Sequence, residues 1–391
     1  MRVSSRALAA TESPTLALTA KTNALKAAGE DIIGFGAGEP DFDTPEHIKE
    51  AARQALAKGL TKYCPTAGTK GLREAVAEKV KRDQGLDYSP AQVCVAVGGK
   101  HALHGVFQTL LNPGDAVFLP APYWVSYVDQ IRLAGGVPIV LPTTEATGLK
   151  ITPGQLADAI GQYPYARAIV LNSPSNPTGA TYDEAEMAAL AEVLRGAPEL
   201  VIISDEIYEH LVYGGRRHVS IAEQADLCER LIICNGVSKA YSMTGWRCGW
   251  SIGPKDFIAA QIRIQSHDSS GTCSITQAAA EAALRGDQGC VETMRQAFEE
   301  RLRVMVDGLN SLPGVTCAEP GGAFYAFPNI AQHLGKGETA GAFAERLLEQ
   351  AKVAVVPGEG FGAPANVRLS YAASMSDIEQ GLERIKRFVA R

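Results

Sequence analysis

Short apolar runs alternate with amphipathic segments through the middle of the chain. Seven such runs between residues 92 and 253 predict strands, namely QVCVAV, AVFLP, VPIVLP, RAIVLN, ELVIISD, LIICNGVSK and GWSIG. Segments with helical periodicity lie between most of them. Nearly continuous apolar strands separated by helices are typical of a parallel or mostly parallel sheet covered on both faces. The pattern therefore predicts an α/β fold that binds its ligand at the carboxyl ends of the strands.

Helical patterns flank this central part. We predict one helix over residues 18–28, one that starts at Asp43-Thr44-Pro45-Glu46 with Thr44 as its N-cap, and one in GLREAVAEKVKRDQG. Beyond about residue 286 a long charged helix ends at Pro313-Gly314, and the strand-like runs AFYAFP, VAVVPG and NVRLSYA follow. The C-terminal part is therefore predicted to form a smaller α/β domain.

Composition narrows the class of protein. The chain has 391 residues, 46% of them apolar and 20% charged, with a net charge of −6 and no basic block, so nucleic acid and membrane surfaces are not expected partners. Its eight cysteines form no C-x-x-C pair and no zinc-ligand spacing, which favours reduced, mostly buried thiols. The N-terminus lacks the apolar core of a signal peptide, and no apolar run reaches the ~18 residues of a membrane span. We expect a cytoplasmic protein.

Lys239 stands just beyond the apolar run LIIC. Burying an ammonium without a partner is costly, so an amine held there has a lowered pKa and can form a Schiff base with a carbonyl. Ser238 precedes it and Arg247 follows eight residues later, and a phosphate binds such a hydroxyl and guanidinium. Pyridoxal phosphate combines an aldehyde with a phosphate, so this stretch suggests that cofactor.

Other polar residues follow neighbouring strands. Asp205 ends the run LVIIS, where a carboxylate could keep the pyridinium nitrogen of this cofactor protonated so that the ring accepts electrons; a capping or ion-paired aspartate is the alternative. Asn176, in the turn LNSPSNPTG, and Tyr208 could bond a ring hydroxyl, although asparagine also forms turns and tyrosine packs in cores.

Three further features could bind anions or the cofactor ring. Gly98-Gly99-Lys100 stands between a strand and a helix, where free N–H groups form an anion site or only a tight turn. Trp124, in APYWVSY, could stack on the pyridine ring or simply lie in the core. Arg368, in the apolar run NVRLSY, needs an anion, which is either a substrate carboxylate or an internal salt bridge.

Two other chemistries find less support. The stretch GVSKA approaches the serine-hydrolase pattern G-x-S-x-G, but Ala240 replaces the second glycine. His101 and His104 have i, i+3 spacing and could share a metal, but no third ligand is evident nearby. We therefore predict neither a serine nucleophile nor a metal site.

Eight motifs follow one another along the chain, each occurring once: AGEPDFDTP, TKYCPTAGTKGLREA, GGKHAL, APYWVSY, NSPSNPTGA, SDEIYEHL, NGVSKAYSMTGWRCGW and NVRLSYA. Together they resemble class I aminotransferases of the fold type I pyridoxal-phosphate family, over essentially the full length, and most of all their prokaryotic-type aspartate aminotransferase branch. The resemblance implies a homodimer with shared active sites. We expect residues 46–286 to form a large pyridoxal-phosphate-binding domain, and residues 1–45 plus 287–391 a small one.

The resemblance also implies a role for each candidate residue. Lys239 would carry the cofactor and shuttle the substrate Cα proton. The remaining cofactor contacts would be Asp205 at the ring nitrogen, Asn176 and Tyr208 at the ring oxygen, Trp124 on the ring face, the backbone of Gly99 and Lys100 with Ser238 and Arg247 at the phosphate, and Tyr63 at the phosphate of the neighbouring subunit. The substrate α-carboxylate would meet Arg368, Asn176, Trp124 and the backbone of Gly38, and its distal carboxylate would meet Ser13, Thr15 and Lys100.

The implied reaction converts L-aspartate and 2-oxoglutarate to oxaloacetate and L-glutamate by a ping-pong, Schiff-base mechanism. Branch members that use prephenate well look to have a lysine two positions before the pocket serine, where this chain has Thr11, followed by Glu12. An aminotransferase acting on prephenate or an aromatic amino acid is therefore the alternative. A non-catalytic cofactor-binding regulator is a further one, but the short, non-basic N-terminus leaves no room for a DNA-binding module.

Overall fold

A seven-stranded β-sheet forms the centre of the molecule, in a computed structural model that describes residues 2–11 and 14–390. The strands of the described residues are β1 Ile33–Gly34, β2 Val93–Ala96, β3 Ala116–Ala121, β4 Val137–Pro142, β5 Ala168–Asn172, β6 Val201–Asp205, β7 Leu231–Gly236, β8 Gly249–Ile252, β9 Tyr325–Ala326, β10 Val353–Ala354, β11 Val356–Pro357 and β12 Val367–Ser370. All seven strands predicted in the central part are present, in the order β2-β8-β7-β6-β5-β3-β4. Only β8 runs antiparallel to its neighbours, which confirms the mostly parallel sheet.

Helices cover both faces of this sheet. The α-helices of the described residues are α1 Ser5–Ala9, α2 Pro14–Ala27, α3 Glu46–Ala57, α4 Lys70–Gln84, α5 Gly99–Leu110, α6 Ser126–Leu133, α7 Pro153–Gln162, α8 Glu184–Arg195, α9 Lys255–Asp268, α10 Ser274–Arg285, α11 Gly289–Asn310, α12 Ala340–Ala351 and α13 Met375–Val389. Within this described part, no helix is both long and apolar enough to cross a membrane.

Successive residues of the central strands enter two different cores. In β5, Ile169 and Leu171 pack with residues of α3, α4, α8 and α10, while Val170 packs with residues of α5 and α6. Side chains of a strand point alternately to the two faces of its sheet. Because both faces of β5 are buried, its sequence is a continuous apolar run rather than an alternating one.

A third core lies in the C-terminal part of the chain. Residues of α11, α12 and α13 pack there around the small antiparallel sheet β11-β12-β9, and β1 pairs with β10 beside it. Tyr208 and Leu211, which follow β6, also enter this core. The turn after β6 therefore joins the central sheet to the C-terminal part, and the domain boundaries at residues 46 and 286 stay a prediction.

Two local predictions are wrong. Helix α3 begins at Glu46, but Pro45 is its N-cap and no side chain caps it. The hydroxyl of Thr44 instead donates to the Ser242 carbonyl at 2.7 Å and accepts from Trp246 Nε1 at 3.0 Å. These tertiary partners lie almost 200 residues away, and they replace the local capping bond that the sequence pattern favours. Half of the cysteines are buried rather than most, and Cys273 is exposed.

Candidate active site

A cavity of about 340 Å³ opens at the carboxyl ends of the parallel strands. Asn172, Asp205 and Cys234 are neighbours across β5, β6 and β7, so these three strand ends meet at one edge of the sheet. Eleven of the residues predicted for the site line the cavity, namely Gly38, Gly99, Lys100, Trp124, Asn176, Asp205, Tyr208, Ser238, Lys239, Arg247 and Arg368. The topology thus brings together residues that are up to 330 positions apart in the chain, from Gly38 to Arg368.

Lys239 enters the cavity from the turn that follows β7. Its ammonium donates to the carbonyl oxygen of Gly38 and lies 5.8 Å from the ring centres of both Tyr208 and Phe324. It forms no ion pair with any described residue. Burial, helped by the positive charge of Arg368, lowers the pKa of Lys239 to about 8. A pKa of that size leaves roughly a tenth of the amine neutral at pH 7, which makes it a competent nucleophile.

Asp205 is a buried carboxyl that lacks a cation. Its Oδ2 accepts from the Tyr127 hydroxyl at 2.6 Å, and its Oδ1 accepts from the Ile207 N–H at 3.3 Å. The Asn172 amide fixes the main chain by donating to the Asp205 carbonyl at 2.9 Å. Burial raises the pKa of Asp205 to about 6, against the effect of the Tyr127 bond. The ion-paired alternative is therefore wrong within the described residues, and the carboxyl is suited to a cationic ligand.

Arg368 is 1% exposed and lies in β12. Its Nη1 donates to Asn176 Oδ1 and its Nη2 to the Gly36 carbonyl, both at 2.9 Å. Its Nε has no hydrogen-bond partner, and no described residue forms an ion pair with it. The internal salt bridge considered for Arg368 is therefore absent from the described part of the chain, and the guanidinium still needs an anion.

Donors for a phosphate gather where α5 begins. Gly98 has a φ of +86° and precedes α5, whose first residues Gly99 and Lys100 line the cavity. The first N–H groups of a helix have no partner within it and can bind an anion. A Cβ on Gly98 would lie 2.6 Å from Arg247 Nη2, so glycine is required for this close approach. Ser238 lines the same wall. The hydroxyl, the guanidinium and the helix end together form an anion cradle.

Lys100 belongs to the first turn of α5, and its side chain faces Trp124. The Lys100 ammonium lies 5.0 Å from the Trp124 ring centre, and burial together with Arg247 lowers the pKa of Lys100. Trp124 packs edge-on against Tyr127, with ring centres 5.3 Å apart. The indole is thereby fixed beside the cavity, where a flat ring could stack on it.

Three predicted residues lie elsewhere or are not described. Tyr63 is fully exposed and does not line the cavity. Ser13 lies outside the described residues, and so does the side chain of Thr15. The hydroxyl of Thr11, two positions before Ser13, donates a hydrogen bond to Asp129 at 2.7 Å.

Ten further residues line the cavity without a role predicted from the sequence, and three of them, Tyr127, Asn172 and Tyr325, bond to residues of the predicted site. Tyr127 follows Trp124 by three positions, the spacing of one helical turn, so helical geometry could have indicated it. Asn172 ends a predicted strand, as Asp205 does. Tyr325 comes from the third core, and no local pattern indicates that it reaches the cavity.

The site's chemistry fits pyridoxal phosphate. It offers a nucleophilic amine for an aldehyde, a carboxylate without a cation for the ring nitrogen, a cradle for a phosphate, and an arginine without an anion for a substrate carboxylate. The unpartnered Nε of Arg368 is the sharpest of these signs, because buried polar atoms are normally bonded.

Comparisons with known proteins agree with this chemistry. The family model for aminotransferase class I and II matches residues 30–385. The chain is 53% identical over 392 residues to an aspartate aminotransferase of Geobacillus stearothermophilus, covering 100% of this chain and 99% of that protein. It is 48% identical to an aspartate/prephenate aminotransferase of Cereibacter sphaeroides, covering 97% and 96% of the two chains.

A solved structure gives the same result for the fold. The aspartate aminotransferase of Thermus thermophilus with maleate superposes with a TM-score of 0.94 at 43% identity, covering 99% of this chain and 100% of that one. The chain therefore belongs to the class I and II aminotransferases, and it is a pyridoxal-phosphate-dependent enzyme of that family.

Proposed function

We propose that this enzyme transfers the amino group of L-aspartate to 2-oxoglutarate, giving oxaloacetate and L-glutamate by a ping-pong mechanism. The observation that carries the proposal is the meeting of Lys239, Asp205 and Arg368 in one cavity without counter-ions among the described residues. The similarity to the aspartate aminotransferase of Geobacillus and the aspartate/prephenate aminotransferase of Cereibacter supports aspartate as a substrate.

The cofactor, when bound, supplies an electrophilic carbon and a ring that accepts electrons from the substrate. The chain's own residues would hold it as follows: Lys239 at the aldehyde carbon, Asp205 at the ring nitrogen, Asn176 and Tyr208 at the ring oxygen, Trp124 on the ring face, and the backbone of Gly99 and Lys100 with the side chains of Ser238 and Arg247 at the phosphate. Lys239 would also be the base for the substrate Cα proton, because its burial lowers the pKa of the amine toward neutral pH, to about 8 in the cofactor-free protein.

Arg368 would bind the substrate α-carboxylate through paired N–H donors. Its hydrogen bonds to Asn176 and to the Gly36 carbonyl fix the orientation of the guanidinium for this contact. The backbone of Gly38 lines the same end of the cavity. Lys100, with Ser13 and Thr15, would bind the distal carboxylate. Because the Lys100 ammonium is a second positive charge besides Arg368, the cavity favours a dicarboxylate substrate over alanine.

We further propose a cytoplasmic homodimer in which Tyr63 reaches the phosphate in the partner subunit. Full exposure of the Tyr63 ring supports this, because a large aromatic side chain in water is suited to an interface. Sedimentation velocity at micromolar concentration tests the dimer, and a monomer with full activity would contradict it.

Initial rates with a panel of donors and acceptors test the substrate. Each donor is paired with 2-oxoglutarate, and prephenate is tried as an acceptor with glutamate. Aspartate should exceed alanine roughly 10- to 100-fold in kcat/KM, the value of one or two charge-assisted bonds. Lys100→Met should lower kcat/KM for aspartate far more than that for alanine.

The outcomes separate two claims. Equal rates with alanine and aspartate would overturn the dicarboxylate preference and leave the aminotransferase class intact. Failure of every donor, together with no visible absorbance on adding pyridoxal phosphate, would overturn the catalytic role of Lys239.

A further inference from the structure

Tyr325 contacts both the cofactor side and the substrate side of the cavity. It lies in β9, is 1% exposed, and lines the cavity wall. We propose that Tyr325 is a positioning residue that holds Tyr208 through its hydroxyl and Arg368 through its ring. This inference rests on the roles proposed above for Tyr208 and Arg368.

The first contact joins two phenols. The hydroxyls of Tyr208 and Tyr325 are 2.8 Å apart, and both side chains are buried. A hydroxyl has a single proton to donate. If Tyr208 donates its proton to the ring oxygen of the cofactor, it must accept from Tyr325. Tyr325 then heads a donor chain that polarises Tyr208 and strengthens its bond to that oxygen.

The second contact is between an aromatic ring and a cation. The guanidinium carbon of Arg368 lies 4.4 Å from the Tyr325 ring centre and 5.2 Å from that of Phe361. The two hydrogen bonds of Arg368 run to a neutral amide and a carbonyl, and among the described residues the two rings add to the stabilisation of its charge before an anion binds. The ring of Tyr325 therefore fixes the plane in which Arg368 meets a carboxylate.

Packing leaves Tyr325 little freedom. Strand β9 pairs with β12, the strand of Arg368, with Tyr325 opposite Ser370. Phe324 and Tyr208 pack against the Tyr325 ring, with ring centres 4.8 and 5.8 Å away. A Cβ on Gly38 would come within 3.1 Å of the Tyr325 hydroxyl, so the Gly38 backbone closes the remaining side.

Two substitutions separate the contacts. Tyr325→Phe removes the hydroxyl and keeps the ring, whereas Tyr325→Leu removes both. The cofactor side is read from the pH midpoint of the bound pyridoxal phosphate's visible absorbance, without substrate. The substrate side is read from the dissociation constant of maleate, a dicarboxylate with no amino group to transfer.

Tyr325→Phe should raise the apparent proton affinity of the bound cofactor about three- to tenfold, because a weaker bond to the ring oxygen disfavours its charged form. The maleate constant should stay within about twofold, because the ring remains. Tyr325→Leu should change both readouts, with maleate binding weaker by roughly 10- to 30-fold.

A double-mutant cycle with Tyr208→Phe tests the donor chain itself. In that background Tyr325→Phe should leave the absorbance midpoint unchanged, since the chain is already broken. Tyr371→Phe is the matched control, because it removes another buried hydroxyl of the same core outside the cavity. It should move neither readout.

An additive effect in the cycle, or equal effects of Tyr325→Phe on both readouts, would overturn the inference. These results differ from failure of the proposed function, in which wild-type protein would show neither the absorbance nor maleate binding. If Tyr325→Leu does not fold, Tyr325→Phe and the cycle still decide the question.

Discussion

Two groups of buried charges lie on either side of the turn after β6. In the cavity, Lys239, Asp205 and Arg368 form no ion pair among the described residues. Behind the turn, Lys79 contacts Glu209, and Glu206 lies 3.1 Å from His218; we call these four the paired cluster. Burial is similar in the two groups, but the pKa values of their carboxyl groups move in opposite directions.

In the cavity, burial is unopposed by a counter-ion, so the pKa of Lys239 falls and that of Asp205 rises, each toward the neutral form. In the paired cluster, burial opposes the charged form, but His218 lowers the pKa of Glu206 to about 2 and Lys79 lowers that of Glu209. Ser204 and Ser220 also donate to Glu206, at 2.9 and 2.5 Å. The buried charges of the paired cluster have counter-ions within the fold, whereas those of the cavity have none among the described residues and mark the place of a ligand.

The strongest test of this contrast is Lys239→Met. Turnover should fall at least ~10⁴-fold, because the group that holds the cofactor and moves the Cα proton is lost. The cofactor-free protein should become more stable by roughly 3 kcal/mol at pH 7. The sign follows from a folded-state pKa below the unfolded one: the buried ammonium destabilises the fold fully below pH 8, and this cost disappears as pH rises toward 10.5.

Urea unfolding of the cofactor-free proteins at pH 7, alongside steady-state rates, measures both effects. A variant that is inactive and also less stable than wild type would show that Lys239 belongs with the structural charges.

Lys79→Met should do the reverse. Lys79 is 2% exposed and contacts Glu209 as well as Asp83, at 3.4 Å from the latter. Removing it leaves a buried carboxylate unpaired, so the free energy of unfolding should fall by about 3–5 kcal/mol. Lys81→Met is the matched control, because Lys81 lies in the same helix but is exposed; it should change stability by less than ~0.5 kcal/mol.

Urea unfolding at pH 7 again measures the difference. Equal effects of Lys79→Met and Lys81→Met would mean that the paired cluster contributes no net stability.

The sequence predicts the cavity much better than the paired cluster. Lys239 and Asp205 each follow an apolar strand, and parallel strands bring their carboxyl ends together, so their meeting could be predicted. Lys79 lies in an amphipathic helix and reads as a surface residue, because its partner Glu209 is 130 positions away. Tyr325 was missed for the same reason. The position of Tyr325 depends on how the C-terminal core packs against the turn after β6. Neither the periodicity of apolar residues nor a sequence motif indicates that packing.

Asp205→Asn tests the contrast through a carboxylate. The pKa of Asp205 rises to about 6 on folding, from an ordinary value near 3.8. The folded protein therefore binds the extra proton between these values, and the charged carboxyl destabilises it fully above pH 6. The cofactor-free variant should be more stable by roughly 3 kcal/mol at pH 8 and nearly unchanged below pH 4.

With cofactor bound, Asp205→Asn should lower the stability of the protein instead of raising it, because asparagine carries no charge to pair with a pyridinium. Equilibrium dialysis of pyridoxal phosphate should then report weaker binding. A stability gain of the same size at pH 4 and pH 8 would exclude the charge as its cause.

The smallest effect is expected from Tyr127→Phe, and it tests how far the cavity tolerates an unpaired charge. The Tyr127 hydroxyl is the one side-chain donor bonded to the Asp205 carboxyl among the described residues, at 2.6 Å, and it holds the pKa of that group down against burial. Removing it should raise the pKa of Asp205 further. The cofactor-free protein should lose about 1 kcal/mol of stability at pH 8, where Asp205 is ionised, and less at pH 4, where it is protonated. Tyr213→Phe is the control, because its hydroxyl donates to the neutral Ala323 carbonyl and its loss should cost the same at both pH values. If the two variants show the same pH dependence, the Tyr127 hydroxyl serves packing alone and does not stabilise the charge of Asp205 before the cofactor binds.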